Sequence, residues 1–290
     1  MIDHSVPNHF RSCADRAHLR FLQTVRAYEL DRALAHFPSA DNGETSRTVL
    51  EIGAGTGQQA KSIEDRGYAV VAIDLPSSHY RDDRVYGVLD YDGRNIPMAN
   101  GSADVVFSSN VLEHVCEIDA FLDETRRVMA ENGVAIHVLP SSACRAWSLP
   151  AHYLWLVRRV FSYVFALSRR SLSEVETPHL PRVPHSSREW IGTFFPLRHG
   201  ERGTSLTEPY YYSRYWWCRK FRQHGFIVTR VEPNELFYTM ANALNDSLGI
   251  PTRRWLAHLL GSACHVYVLK RRTHPVQHSA SISSAEASSA

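Results

Sequence analysis

The run Val49-Leu50-Glu51-Ile52-Gly53-Ala54-Gly55-Thr56-Gly57 constrains this chain more than any other stretch. Two apolar, strand-favouring residues lead into an acid, and glycines then fall at every second position. The pattern predicts a buried parallel strand that enters a tight turn and then a helix. Glycine supplies the positive φ angles of such a turn and lets a ligand approach the backbone closely. The spacing is not that of a dinucleotide loop, G-x-G-x-x-G. Three residues after Gly55 stands Gln58, and the third glycine comes one residue early, at Gly57. A pyrophosphate is poorly served by this loop. Glu51, two residues before the first glycine, would suit an ammonium group on the ligand better than a phosphate.

A second apolar run, Tyr68-Ala69-Val70-Val71-Ala72-Ile73, ends in Asp74. Between the two runs, Gln58 to Arg66 is expected to be a helix closed by Gly67. Together they make a βαβ unit with an acid at the end of its second strand. A carboxylate there can accept hydrogen bonds from both hydroxyls of a ribose. The alternative for Asp74 is a cap for the turn Leu75-Pro76-Ser77-Ser78.

The segment from Glu51 to Gly57 resembles motif I of the class I S-adenosylmethionine (SAM) methyltransferases, (D/E)-x-G-x-G-x-G. The resemblance continues along the chain. Asp90-Tyr91-Asp92-Gly93-Arg94-Asn95-Ile96-Pro97-Met98, followed by Ser102-Ala103-Asp104-Val105-Val106-Phe107, is similar to the type 11 methyltransferase domain. There an acid precedes a Leu-Pro-Phe-like turn and a Ser-Phe-Asp strand entry. Ile96-Pro97-Met98 and Ala103 depart from that pattern by apolar exchanges. Ser108-Ser109-Asn110-Val111-Leu112-Glu113-His114-Val115 resembles the family's vLEHv segment. The similarity covers residues 48–140 in unbroken order.

It implies an α/β, Rossmann-like, doubly wound sheet of seven mostly parallel strands with the last antiparallel. It also implies SAM as cofactor, held by Glu51, Gly53, Gly55, Gly57, Asp74, Leu75, Asp92, Gly93 and Asn110. In this scheme Asp74 takes the ribose, Asp92 the adenine and Asn110 the methionine end.

Around this core the pattern predicts further parts. Residues 1–47 form an N-terminal cap, with a helix over 15–37 that ends before Asp41-Asn42-Gly43. A helix over Glu117–Met129 stops at Asn132-Gly133, and strand five follows over 133–140. Residues 141–212 form an insertion expected to carry acceptor specificity, since it follows the carboxyl end of a strand. Its first half, His152–Leu167, is an aromatic-rich amphipathic helix. Two readings stand for it, a lid over the substrate or a basic helix lying on a membrane surface. Its second half, around Pro178-His179-Leu180-Pro181, is a loop. Residues 213–272 complete the sheet: a helix over Ser213–His224, strand six over 226–231, helices over 235–248 and 253–260, and strand seven over 265–269. The Ser/Ala-rich stretch 273–290 is expected to be a disordered tail.

The 290-residue chain is long enough to bury a full core, and its net charge of +2 gives no electrostatic case for nucleic acid. The stretch after strand four also lacks the Asn/Asp-Pro-Pro-Tyr of amino-methylating DNA enzymes. The five cysteines are odd in number and include no C-x-x-C pair, so neither a disulfide framework nor a metal site is expected. Met1–Phe10 carries no apolar signal segment, and no stretch is apolar enough to span a bilayer. The expected location is the cytoplasm, with or without peripheral contact at the inner face of the membrane.

An oxygen nucleophile usually needs a general base, and the candidates are His114, His199 and Glu201. The plain alternatives are a structural or substrate-lining role for His114 and an ordinary exposed loop for the other two. His137, in mid-strand, reads as a core histidine. The tyrosines and tryptophans at 210–217 read as core or as a stacking wall for sugars. Three functional readings follow. The first is methyl transfer, at oxygen, to a small molecule or lipid-linked glycan. The second is the same reaction on a quinone or other membrane lipid. The third is a SAM-binding regulatory protein without turnover.

Overall fold

The computed structural model describes residues 13–41, 45–170, 198–239 and 248–272. Seven strands form one sheet: β1 (Thr48–Ile52), β2 (Ala69–Asp74), β3 (Val88–Asp90), β4 (Ala103–Ser109), β5 (Met129–Pro140), β6 (Phe226–Pro233) and β7 (Cys264–Arg271). Their order is β3-β2-β1-β4-β5-β7-β6. The first five strands pair in parallel, and β7 runs antiparallel to both β5 and β6. The chain builds outward from β1 to β3, then returns to start β4 on the other side of β1. The loops after β1 and β4 therefore face each other at a topological switch point, where α/β sheets bind ligands.

Both faces of the central strands are covered, as a parallel sheet requires. Leu50, Ile52 and Val106 pack on one face with Phe121 and Leu122 of α3 (Ile118–Val128) and with Trp217 and Phe221. Val49, Val105 and Phe107 pack on the other with Leu30 and Ala33 of α1 (Cys13–Leu34) and Ile63 of α2 (Gln58–Glu64). Alternate residues of one strand thus feed opposite layers, which is the period-two geometry of a pleated strand. His137 is wholly buried, with Nδ1 2.8 Å from Ser108 Oγ. Burial alone pushes its pKa down to about 3, so it is a neutral core imidazole.

Several boundaries differ from those the sequence suggests. Asn132-Gly133 does not stop α3. The helix ends at Val128, and β5 begins at Met129 because Ala103 and Met129 pair one irregular step before the regular register. Asn132 and Gly133 lie inside the strand at that irregularity. The helix of the insertion, α4 (Ser142–Arg170), starts ten residues before the aromatic stretch and runs through Pro150. Within the helix expected over 235–248, the described residues 235–239 are not helical. They are held instead by Asn234, whose side chain accepts from Leu236 N and Cys264 N. The loop around 178–185 and the tail 273–290 lie outside the described residues. No helix among the described residues is long and apolar enough to cross a membrane.

Candidate active site

The glycine turn after β1 closes as its sequence demands. Gly53, Gly55 and Gly57 all have positive φ, at 72°, 56° and 75°. Gly53 N and Ala54 N donate to Ile73 O, which ties the turn to the end of β2. A Cβ on Gly53 would stand 2.4 Å from Val111 Cγ2, so the loops after β1 and β4 touch here and leave no room for a side chain. Gly57 caps α2 in the left-handed region.

Two carboxylates flank the turn. Asp74 Oδ2 accepts from Gly55 N at 3.0 Å and Oδ1 from Leu75 N at 2.8 Å. Both oxygens keep a further lone pair, so the residue is a rigid acceptor at the carboxyl end of β2. Glu51 is almost fully buried, and its Oε2 has no hydrogen-bond partner among the described residues. Burial, with Asp74 adding to it, pushes its pKa up to about 8. An orphaned acidic oxygen beside the glycine turn fits a cationic amine.

Asp92 does different local work. Its Oδ1 accepts from Arg94 N and Asn95 N at 2.8 and 2.7 Å, and Oδ2 accepts from Asn95 Nδ2 at 2.7 Å. The carboxylate thus closes its own turn, and these bonds hold its pKa down. The turn brings Gly93 against Leu75, with a Cβ at 93 meeting Leu75 Cδ2 at 3.0 Å. Tyr91 N donates to Asp74 O. Asp74, Leu75 and Gly93 therefore form one wall. Asn110 sits opposite, after β4, with φ at 55° and its N–H on Val138 O. A non-glycine residue in this region marks a backbone held by its surroundings.

The N-terminal helix is tied to α2 and to the residues around the last strands. Gln59 Nε2 donates to Arg26 O, and Arg26 pairs with buried Glu29 at 2.6 Å. Glu29 accepts in turn from Asn234 Nδ2 and Tyr238 Oη, and Tyr238 Oη meets Cys264 Sγ at 2.9 Å. Cys264 Sγ reaches Asn110 Oδ1 at 3.6 Å. A buried polar chain thus links α1 to the strained residue after β4. Nothing in the spacing of these residues announces it.

The second half of the site comes from the end of the insertion. Loop 198–203 folds onto the 112–114 turn. Glu201 N donates to Glu113 O at 2.9 Å, and the Arg202 guanidinium donates to Leu112 O and Val115 O. Arg202 also lies over the rings of Trp216 and Trp217, at 5.2 and 5.7 Å. Beneath the loop, buried Glu208 accepts from His199 N and Gly200 N at 2.6 and 2.7 Å. Arg145 of α4 pairs with Glu208 at 2.6 Å, both side chains being buried. This clasp places the His199 ring 4.9 Å from the His114 ring, edge to face. Desolvation leads in pushing both imidazoles down, His199 to about 4. Both are therefore neutral at physiological pH and able to accept a proton. The Glu201 carboxylate pairs with Arg198, at 3.2 Å, and its charge acts on His114. Glu113 is buried beside the two histidines. Arg145, Glu208, Glu113 and Arg202 escaped the sequence reading. Only Glu113 carried a signal, as the acid of the Leu-Glu-His triplet. Of the 210–217 aromatics, Tyr212 and Trp217 are buried, whereas Tyr210 and Tyr215 are exposed.

Residues 50–137 match the family model described as a methyltransferase domain. Residues 50–137 are a methyltransferase domain of the SAM-dependent kind. An uncharacterized methyltransferase of Mycolicibacterium gilvum is 32% identical over 108 residues, 33% of this chain and 41% of the relative. A ubiquinone biosynthesis O-methyltransferase of Brucella anthropi is 25% identical over 160 residues, 50% of this chain and 64% of the relative. The chain spans between 38% and 61% of the length of the first curated relatives it matches. Among solved structures, a chain of the complex between the Haloferax volcanii Trm112 methyltransferase activator and its methyltransferase superposes with TM-score 0.52. It is 15% identical, and the match covers 90% of this chain and 96% of that one. A SAM-dependent methyltransferase of Mesorhizobium loti gives TM-score 0.51 at 15% identity, covering 84% and 98%. Both share the fold of this chain.

Proposed function

We propose that the whole chain is a SAM-dependent methyltransferase that methylates an oxygen of a small-molecule or lipid-linked glycan acceptor. The observation that carries this reading is the meeting of two halves. A cofactor wall (Glu51, the glycine turn, Asp74, Leu75, Gly93) faces the switch point. A pair of neutral imidazoles, His114 and His199, stands on the loops beside it. Bound SAM supplies a methyl group already activated by a sulfonium, so the protein's task is chiefly positioning. Asp74 would accept from the ribose hydroxyls, and Glu51 would neutralise the amine end. Asn110 would meet the methionine end. His114, the half-exposed ring, would receive the acceptor's proton, with His199 packed against it to fix its orientation. Relatives named as O-methyltransferases, the ubiquinone enzyme above and a malonyl-[acyl-carrier protein] O-methyltransferase of Geobacter sulfurreducens, support oxygen as the receiving atom.

The test is transfer of label from methyl-labelled SAM to a panel of hydroxylated sugars, glycolipids and quinols, with products resolved by mass. Label on an oxygen, reduced by two orders of magnitude or more in H114A, is expected. Labelling only at nitrogen or carbon, or a fully active H114A, would contradict the reading.

One observation favours a membrane-bound acceptor. Tyr153, Leu154, Val157 and Phe161 on α4 are 46%, 47%, 50% and 71% exposed. Such an exposed apolar row suits the interface of a lipid surface. Co-sedimentation with vesicles containing phosphatidylglycerol should fall several-fold in F161D. Equal sedimentation of both proteins would assign α4 to a lid.

A further inference from the structure

Glu113, His114 and His199 each offer one ligand atom, and these three atoms lie within 4.8 Å of one another. His114 Nε2 stands 3.8 Å from Glu113 Oε1. Two imidazoles and a carboxylate are the donor set of open, three-ligand metal sites. A second observation is independent of that spacing. The Glu113 side chain is wholly buried, and neither of its oxygens has a hydrogen-bond partner among the described residues. A carboxylate left so is costly and calls for an explanation.

Arg26 and Arg202 temper its charge from nearby, but no guanidinium among the described residues bonds to it. Arg26 is engaged by Glu29, Arg145 by Glu208, and Arg202 by the carbonyls of Leu112 and Val115. Both histidines are exposed, which gives an ion a path in. The loop that carries His199 is fixed from behind by Glu208, through the amides of His199 and Gly200. This fixes the backbone from which the His199 ring projects.

We propose that Glu113, His114 and His199 hold a divalent transition-metal ion of zinc's class, on the acceptor side of the cofactor cleft. Zinc–ligand bonds of about 2.0–2.2 Å need the three atoms to draw together by roughly an ångström, which rotation of two exposed imidazoles supplies. The ion's remaining position takes an oxygen of the acceptor and orients it; with the ion bound His114 and His199 are its ligands, and the base role given to His114 above belongs to the ion-free chain. The acceptor's place rests on the methyl-transfer reading. Ion binding does not.

The full chain, stripped with chelator, is titrated with zinc chloride by calorimetry in the absence of SAM, then with Co²⁺ while its visible spectrum is followed. One Zn²⁺ per chain is expected, with Co²⁺ giving the absorption of a low-coordinate nitrogen and oxygen site. Affinity should fall at least tenfold in H199A, in H114Q and in the near-isosteric E113Q, each checked for folding by thermal melt. No stoichiometric Zn²⁺ in the wild type, or unchanged affinity in all three variants, overturns the proposal. SAM titration of the same samples reports separately on the methyl-transfer reading, since the cofactor wall contains none of the three residues.

Discussion

Glu51, proposed to meet the cofactor's amine, also carries a stability cost. It sits at the end of a buried strand, where its charge is disfavoured, and its carboxyl is pushed up to about 8 by burial and then by Asp74. Its ordinary value is 4.5. Between those values the folded chain holds a proton that the unfolded chain has lost. The native state is therefore stabilised least at the upper end, and stability falls as pH rises from about 4.5 towards 8. E51Q stays neutral and lacks that contribution. Urea midpoints at pH 5 and pH 8 should drop further in the wild type than in E51Q. Parallel drops would show that Glu51 is not the group responsible. Asp92 teaches the converse at this scale. Its motif position implies adenine contact, and its carboxylate also closes its own turn through Arg94 N, Asn95 N and the Asn95 side chain. A motif names a residue without stating what else its side chain must hold.

At the scale of elements, the candidate site depends on a clasp between parts far apart in the chain. Loop 198–203 is gripped from above by Glu113 O and from below by Glu208, whose own charge is balanced by Arg145 of α4. Removing one member of a buried pair leaves the other without compensation, at a cost of about 3–5 kcal/mol. E208A should lower the melting temperature accordingly and should speed amide exchange at His199 and Gly200. Unchanged protection at those two amides would mean that the loop is held by other contacts. The clasp also fixes the surroundings of Glu201. Its backbone N–H is used on Glu113 O, and its carboxylate is drawn to Arg198. Exposed polar loops give no periodicity from which such contacts can be read. The start of α4 was similarly hidden, because Pro150 reads as a helix breaker although the helix runs through it.

For the molecule as a whole, legibility follows periodicity and glycine. From Thr48 to Ser109, at the end of β4, apolar runs, turn glycines and terminal acids all point to one topology, and β1, β2 and β4 appear where those signals place them. The antiparallel β7 was expected through the family likeness, not through its own residues, since a buried strand looks alike in either direction. The Arg26–Glu29–Tyr238–Cys264 chain, by contrast, joins the first helix to the last strands. It depends on the closed sheet, so no local pattern encodes it. The account as a whole stands on the cofactor wall, because the acceptor, the imidazole pair and the proposed ion are all placed relative to it. Calorimetric titration of the purified chain with SAM and with S-adenosylhomocysteine, repeated on D74A, tests it most directly. Saturable one-site binding to both ligands is predicted. Loss of the ribose acceptor should weaken it by roughly a hundredfold or more, at about 1.5–3 kcal/mol for each hydrogen bond to a charged group. A folded wild-type chain that binds neither ligand, or a D74A variant that binds as well as the wild type, would contradict the account.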